Sequence, residues 1–223
     1  MEEASRYDYI VIGAGSAGCV LAHRLTEDPA TTVLLLEAGG PDNIPDIHMP
    51  LAFQSLSRSE VDWAYLTEAE PQLAGRQIFW PRGKVLGGTS AINAMVYIRG
   101  HRGDFDAWTA LGNPGWNYTE VLPYFKKSED QQRGASEFHG VGGPLAVTDP
   151  RTPSPVSVAF VESAVALGYP HNPDFNGAQQ EGAGLYQRTI KAGKRQSTAV
   201  AFLHPITDRP NLTIQTHAHV RRI

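Results

Sequence analysis

The strongest constraint on the fold lies in the first forty residues. Tyr7 to Ile12 alternate aromatic and β-branched side chains and run directly into Gly13-Ala14-Gly15-Ser16-Ala17-Gly18, which reads as a strand, a tight turn and a helix start. The helix is expected over about 16–26, with an apolar face of Ala17, Val20, Leu21 and Leu25 and a stop at Asp28-Pro29. Thr32 to Glu37 forms a second strand, apolar until its last residue, as a parallel strand covered on both faces should be. Together these make one βαβ unit.

The spacing carries a chemical consequence. Gly13 permits the tight turn, Gly15 lets backbone approach a pyrophosphate, and Gly18 lets the helix lie close to the strand. Ser16 and Ala17 open the helix, where free N–H groups and the positive dipole end favour an anion. Glu37 closes the second strand about 20 residues downstream, where a carboxylate accepts hydrogen bonds from both ribose hydroxyls and repels the extra phosphate of NADP. The pattern specifies a dinucleotide site without separating FAD from NAD.

Composition narrows the class. With 223 residues, 41% hydrophobic and 19% charged, the chain suits one large or two small soluble globular domains. A net charge of -4 and no basic run longer than two residues give no field for a phosphate backbone, so no nucleic-acid partner is expected. Met1-Glu2-Glu3-Ala4-Ser5-Arg6 is acidic and lacks the basic and then apolar pattern of an export signal. No stretch approaches the roughly 18 apolar residues of a membrane helix, leaving at most peripheral membrane contact. Cys19 is the sole cysteine and suits a reducing, cytoplasmic setting.

From Gly39 to about Pro81 the chain is a long excursion rich in Pro, Gly and polar residues. Helices are expected over about 104–111 and 119–128, the second capped by Asn117. His139 to Val147 reads as a turn feeding a strand, with a helix from Pro153–Pro155 to about Leu167. After a polar stretch around 172–183 come a strand and a short helix over 197–203. Two closing strands, Leu212 to Thr216 and about Ala218 to Ile223, follow the turn at Asp208-Arg209-Pro210-Asn211.

A second glycine-dense run, Pro81 to Gly100, has no counterpart in a simple NAD domain. Its glycines let backbone lie against a large flat ligand, and Thr89, Ser90 and Asn93 offer hydrogen bonds. The segment from Gly83 to Asp106 resembles the long signature of the glucose-methanol-choline oxidoreductases, choline-dehydrogenase-like members above all. The resemblance extends from Tyr7 to Ile214 and includes Asp62-Trp63-Ala64-Tyr65 and Phe138-His139-Gly140.

That resemblance implies an α/β fold: a Rossmann-like FAD-binding domain with part of an α+β substrate-binding domain. Residues 1–138 would be the first part of the FAD domain, 139–205 the start of the substrate domain, and 206–223 a return to the FAD domain. It implies non-covalent FAD, since Ile92 stands where some choline oxidases carry a flavin-linking histidine. The implied cofactor residues are Gly13, Gly15, Ser16, Ala17, Gly18, Glu37, Ala38, Trp63, Arg82, Val85, Gly88, Thr89, Asn93, Ala94, Met95, Val96 and Val220. Among them Val85 and Thr89 would line the pyrophosphate and ribityl region, 93–96 would run beside the isoalloxazine, and Val220, in the last strand, would bracket the adenine.

The implied activity is oxidation of an alcohol, choline or another primary alcohol, to an aldehyde by hydride transfer to flavin N5, with oxygen, a quinone or another electron acceptor. Photodecarboxylation, hydroxynitrile lysis and a non-catalytic FAD-binding fragment are the alternatives. Family members carry the catalytic histidine far downstream, so no catalytic residue is expected in this chain. The substrate pocket and the FAD sheet would need the C-terminal remainder, and the unpaired edge of the last strand should prevent residues 1–223 from folding well alone.

The eight histidines are expected to be solvated or structural. No metal is expected, because no histidine pair has a zinc-site spacing. Asp104 and Asp106 complement a helix dipole, and Cys19 packs in a helix. Trp63 and Tyr65 could hold a quaternary ammonium on their aromatic faces or simply pack a loop.

Overall fold

In the computed structural model, which describes residues 6–223, the sheet is built as the first forty residues require. The acidic opening, Met1 to Ser5, lies outside the described residues. Strand β1 (Tyr9–Ile12), helix α1 (Ser16–Leu25) and strand β2 (Val33–Leu36) form the βαβ unit. A third strand, β3 (Leu212–Gln215), pairs on the far side of β2, giving a parallel sheet of order β1-β2-β3. Val33 and Leu35 are fully buried in the central strand.

The far sequence partner is tied in by side chains. Asn211 Nδ2 donates to the carbonyls of Thr26, Asp28 and Thr31, and Arg209 Nη1 donates to His23 O and Thr26 Oγ1. The bonds to His23 O and Thr26 O satisfy carbonyls at the end of α1, and those to Asp28 O and Thr31 O tie down the loop after it, which fixes β3 beside β2.

Two expectations change. The inward stripe of α1 is Gly18, Cys19 and Ala22, whereas Ala17 is exposed and Leu21 half-exposed. A Cβ on Gly18 would overlap the Gly13 carbonyl oxygen; the helix approaches the turn so closely that only its small residues fit inside. Apolar periodicity located the helix and mistook its face. Residues 218–223 form no strand: His217 turns the chain in the left-handed region at φ 56°, and Ala218 N donates to Glu37 O. Among the described residues both outer strands keep a free edge, and the exposed apolar side chains of this sheet are on β1, with Tyr9, Ile10 and Ile12 about half-exposed.

By internal contacts the chain divides into two units, one of residues up to Met95 with Ala192–Ile223 and one of Val96–Lys191. In the second unit, helices α2 (Arg102–Ala110) and α3 (Tyr118–Ser128) pack through Phe105, Tyr118 and Val121. Asn117 caps α3, accepting from Glu120 N, and Asp104 completes the cap of α2 at His101. Asp106 accepts from Tyr118 N, so both acids flanking Phe105 serve structure.

Behind these helices lies a buried polar cluster. Glu129 accepts from Arg99 Nη2 and lies within hydrogen-bond distance of His139 Nδ1, while His139 Nε2 faces Asp174. Hydrogen bonds to Asp174 and then Glu129 outweigh burial and push His139 up to about 9, and Asp174 is held below the usual carboxylate range mainly by His139. Helix α4 (Pro155–Ala166) buries none of its residues and exposes Val156 and Phe160.

Candidate dinucleotide-binding site

The site grows from the turn after β1. Gly13 takes φ +90°, Gly15 caps α1 with no side-chain hydrogen bond, and no acidic residue occupies the first helical turn. The helix therefore opens with free N–H groups and no competing anion. The second glycine run packs directly on the first: Gly87 N donates to Ala14 O at 2.7 Å, and a Cβ on Gly88 would stand 2.7 Å from Gly15 Cα. Only glycine at 88, itself at φ +53°, lets the two backbones meet.

A cavity of about 490 Å³ opens beside this junction. Gly13, Gly15, Ser16, Glu37, Ala38, Trp63, Arg82, Gly88, Thr89 and Val220 line it, together with Tyr65, His219 and Gly83. A second cavity, also about 490 Å³, continues past Arg82 and Thr89 and is lined by Ile92, Asn93 and Ala94 with Phe53 and Gln54. Arg82 and Thr89 line both cavities.

Glu37 is only 5% exposed and is held from two sides, Oε2 accepting from Ala14 N and Oε1 from Gly39 N, each at 2.8 Å. Each carboxylate oxygen retains a lone pair for a hydroxyl. Asp62 plays a similar part in the excursion. Burial alone would raise its carboxyl, but three backbone N–H donors, from Arg58, Ala64 and Arg82, win and hold it below the usual range. That anchored turn aims Trp63, whose ring stacks on Tyr65 at 5.6 Å and meets His219 edge-on at 5.4 Å.

A sequence profile described as GMC oxidoreductase matches residues 7–223. The chain belongs to this family. It is 52% identical over 219 residues to an alcohol dehydrogenase (acceptor) of Pseudomonas putida, covering 97% of this chain and 40% of the relative. It is 47% identical over 230 residues to the mitochondrial choline dehydrogenase of Homo sapiens, covering 100% of this chain and 39% of the relative. Among solved structures, pyridoxine 4-oxidase from Mesorbium loti superposes with a TM-score of 0.94 at 41% identity, over 98% of this chain and 43% of that one. The chain thus spans about two fifths of the length of the relatives it matches.

Measured against the residues expected from the GMC oxidoreductases, ten of the seventeen line the first cavity and Asn93 and Ala94 line the second. The other five stand elsewhere. Ala17 is exposed on α1, and Gly18 faces the turn. Val85 is fully buried in a cluster with Ile47, Leu56, Val61 and Ile92. Met95 is buried at φ 59°, and Val96 falls in the second unit. Val220 reaches the cavity from an irregular segment instead of a strand. The ring of Trp63 already carries a cation, Lys84 Nζ at 4.9 Å from its centroid.

Sequence reading missed Asp62 as an anchor, Lys84 and His219 as neighbours of Trp63, and a buried arginine, Arg195. Nothing local marks them: the left-handed Ala64 two residues after Asp62 is visible only in the structure. Cys19 packs as expected: it is buried, its Sγ is 3.2 Å from Ala14 O, and burial pushes its thiol up to about 11. No group of three or more potential metal ligands is gathered among the described residues, and none of their helices is long and apolar enough to cross a membrane.

Proposed function

We propose that this chain supplies the FAD-binding part of an FAD-dependent oxidoreductase that converts an alcohol, choline or another primary alcohol, to an aldehyde. One observation carries the reading: the glycine runs at 13–18 and 83–88 meet backbone to backbone beside a cavity that Glu37 lines. A bulky planar dinucleotide needs such side-chain-free walls, and a pyrophosphate needs the open N–H groups of α1.

In this reading Gly13, Gly15 and Ser16 hold the pyrophosphate, Glu37 accepts the ribose hydroxyls, and Ala38, Trp63 and Val220 border the adenine. Arg82, Gly88 and Thr89 carry the dinucleotide toward Asn93 and Ala94 at the ring, where Met95 and Val96 follow. Ile92 offers no nucleophile, so the cofactor is held without a covalent bond. When bound, FAD supplies the hydride acceptor; the residues here bind it, orient it and exclude water. The base that takes the alcohol proton belongs to the remainder of the protein, which the relatives' length supports. Electrons leave to oxygen, a quinone or another acceptor, and the sole, buried cysteine supports a reducing, cytoplasmic setting.

The test is direct. Full-length protein should purify with flavin absorbance or take up FAD stoichiometrically, and a panel of alcohols including choline should bleach it anaerobically. Material that stays colourless when FAD is supplied refutes the binding role; stable flavin that no alcohol reduces refutes the oxidation.

A further inference from the structure

Arg195 heads the largest side chains that are fully buried, at 1% exposure, and no role above uses it. Its Nε donates to Ile47 O at 2.7 Å, and its Nη1 donates to Asn93 O at 2.6 Å, to Asn93 Oδ1 at 3.0 Å and to Ser90 O at 3.2 Å. Nη2 has no partner, and no carboxylate of the described residues pairs with the group. Burial lowers it to about 10, which leaves it cationic at neutral pH. A buried cation without a counterion is costly, and a packed apolar side chain would be cheaper.

The hydrogen bonds show what the cost secures. Asn93 Oδ1 accepts from two groups that can only donate, Arg195 Nη1 and the backbone N–H of Met95 at 2.9 Å. A flipped amide would set N–H against N–H on both sides, so the orientation is settled. The amide nitrogen must then point away from Arg195. Asn93 is itself exposed and lines the cavity that runs on from Thr89.

We infer that Arg195 is a positioning residue for the flavin site: its Nη1, held in place by the Nε bond to Ile47 O, locks the Asn93 amide so that the NH₂ group faces acceptor atoms of the bound ring. The inference rests on the FAD reading above and adds to it a residue outside both glycine runs. Lysine cannot replace the function fully, because one ammonium cannot hold both Asn93 oxygens and the Ile47 carbonyl in a fixed fork.

The test is a double-mutant cycle on the full-length protein, reading the FAD dissociation constant and the flavin absorption spectrum of wild type, R195M, N93A and R195M/N93A. R195M should weaken FAD about three- to ten-fold, the size of one neutral hydrogen bond. It should shift the flavin band as N93A does and have no further effect in the N93A background. Equal weakening by R195M in both backgrounds overturns the inference, as does unchanged affinity with Asn93 present. Should R195M fail to fold, R195K enters the same cycle under the same two criteria. Wild-type protein that binds no FAD fails the earlier reading first; wild-type binding with no coupling fails this one alone.

Discussion

Replacing Glu37 by alanine separates two roles that the carboxylate combines. Its two oxygens accept the N–H groups of Ala14 and Gly39 at 2.8 Å in a site only 5% exposed. A hydrogen bond to a charged group contributes about 1.5–3 kcal/mol net, so removing both would cost up to about 6. Glu37 lines a cavity, however, and water can reach part of the vacated space; about 2–4 kcal/mol is the fair expectation. For a cooperative unit of roughly 150–250 residues each kcal/mol moves the midpoint about 2–4 °C, so the FAD-free full-length E37A protein should melt roughly 5–15 °C below wild type. Glu37→Gln keeps one acceptor without its charge and turns an NH₂ toward the other N–H, so it should lose at least about as much. Scanning fluorimetry of both variants without flavin, followed by FAD titration, gives the two effects separately. An FAD-free midpoint for E37A within about 2 °C of wild type would refute the structural share of this reasoning.

Gly88→Ala places a Cβ 2.7 Å from Gly15 Cα at a φ of +53°; FAD affinity should fall at least about tenfold, measured by flavin fluorescence, and retained affinity would mean the two glycine runs need not touch. His139 has a folded pKa raised to about 9, above its unfolded value near 6.5, so the stability it contributes is full below about 6.5 and disappears as pH rises toward 9. Denaturant midpoints should decline across that window in wild type and much less in H139Q; parallel curves would remove His139 as the cause. Residues 1–223 expressed alone should aggregate or unfold without cooperativity, because Ile10 is 60% and Phe160 74% exposed, whereas a cooperative monomer with one FAD per chain would contradict this.

The βαβ unit and the helix cap at Asn117 were legible because each depends on residues close in sequence: a turn glycine, a run of branched residues, an acid at the strand end, a side chain three positions from its N–H. The glycine-rich signature was readable for the same reason, and with it the family. Two sequence expectations failed: the face of α1 that turns inward, and the closing strand at 218–223. Helical period locates a stripe, yet the close approach at Gly18 selects small residues over large ones, and that approach exists only once Gly13 and α1 are packed. The chain after β3 leaves the sheet because Gly39 and Glu37 offer carbonyls to His217 and Ala218.

By itself, then, the order of residues determined the dinucleotide pattern, its acid and the pair of glycine runs, since these are short-range demands of backbone geometry. Tertiary structure alone decided that Gly15 meets Gly88, that Val85 is core, that Lys84 covers Trp63 and that Arg195 grips Asn93. Those pairings join residues far apart in the chain: backbone sterics set the glycine contact, apolar burial sets Val85, and exclusion of water strengthens the Arg195–Asn93 hydrogen bond.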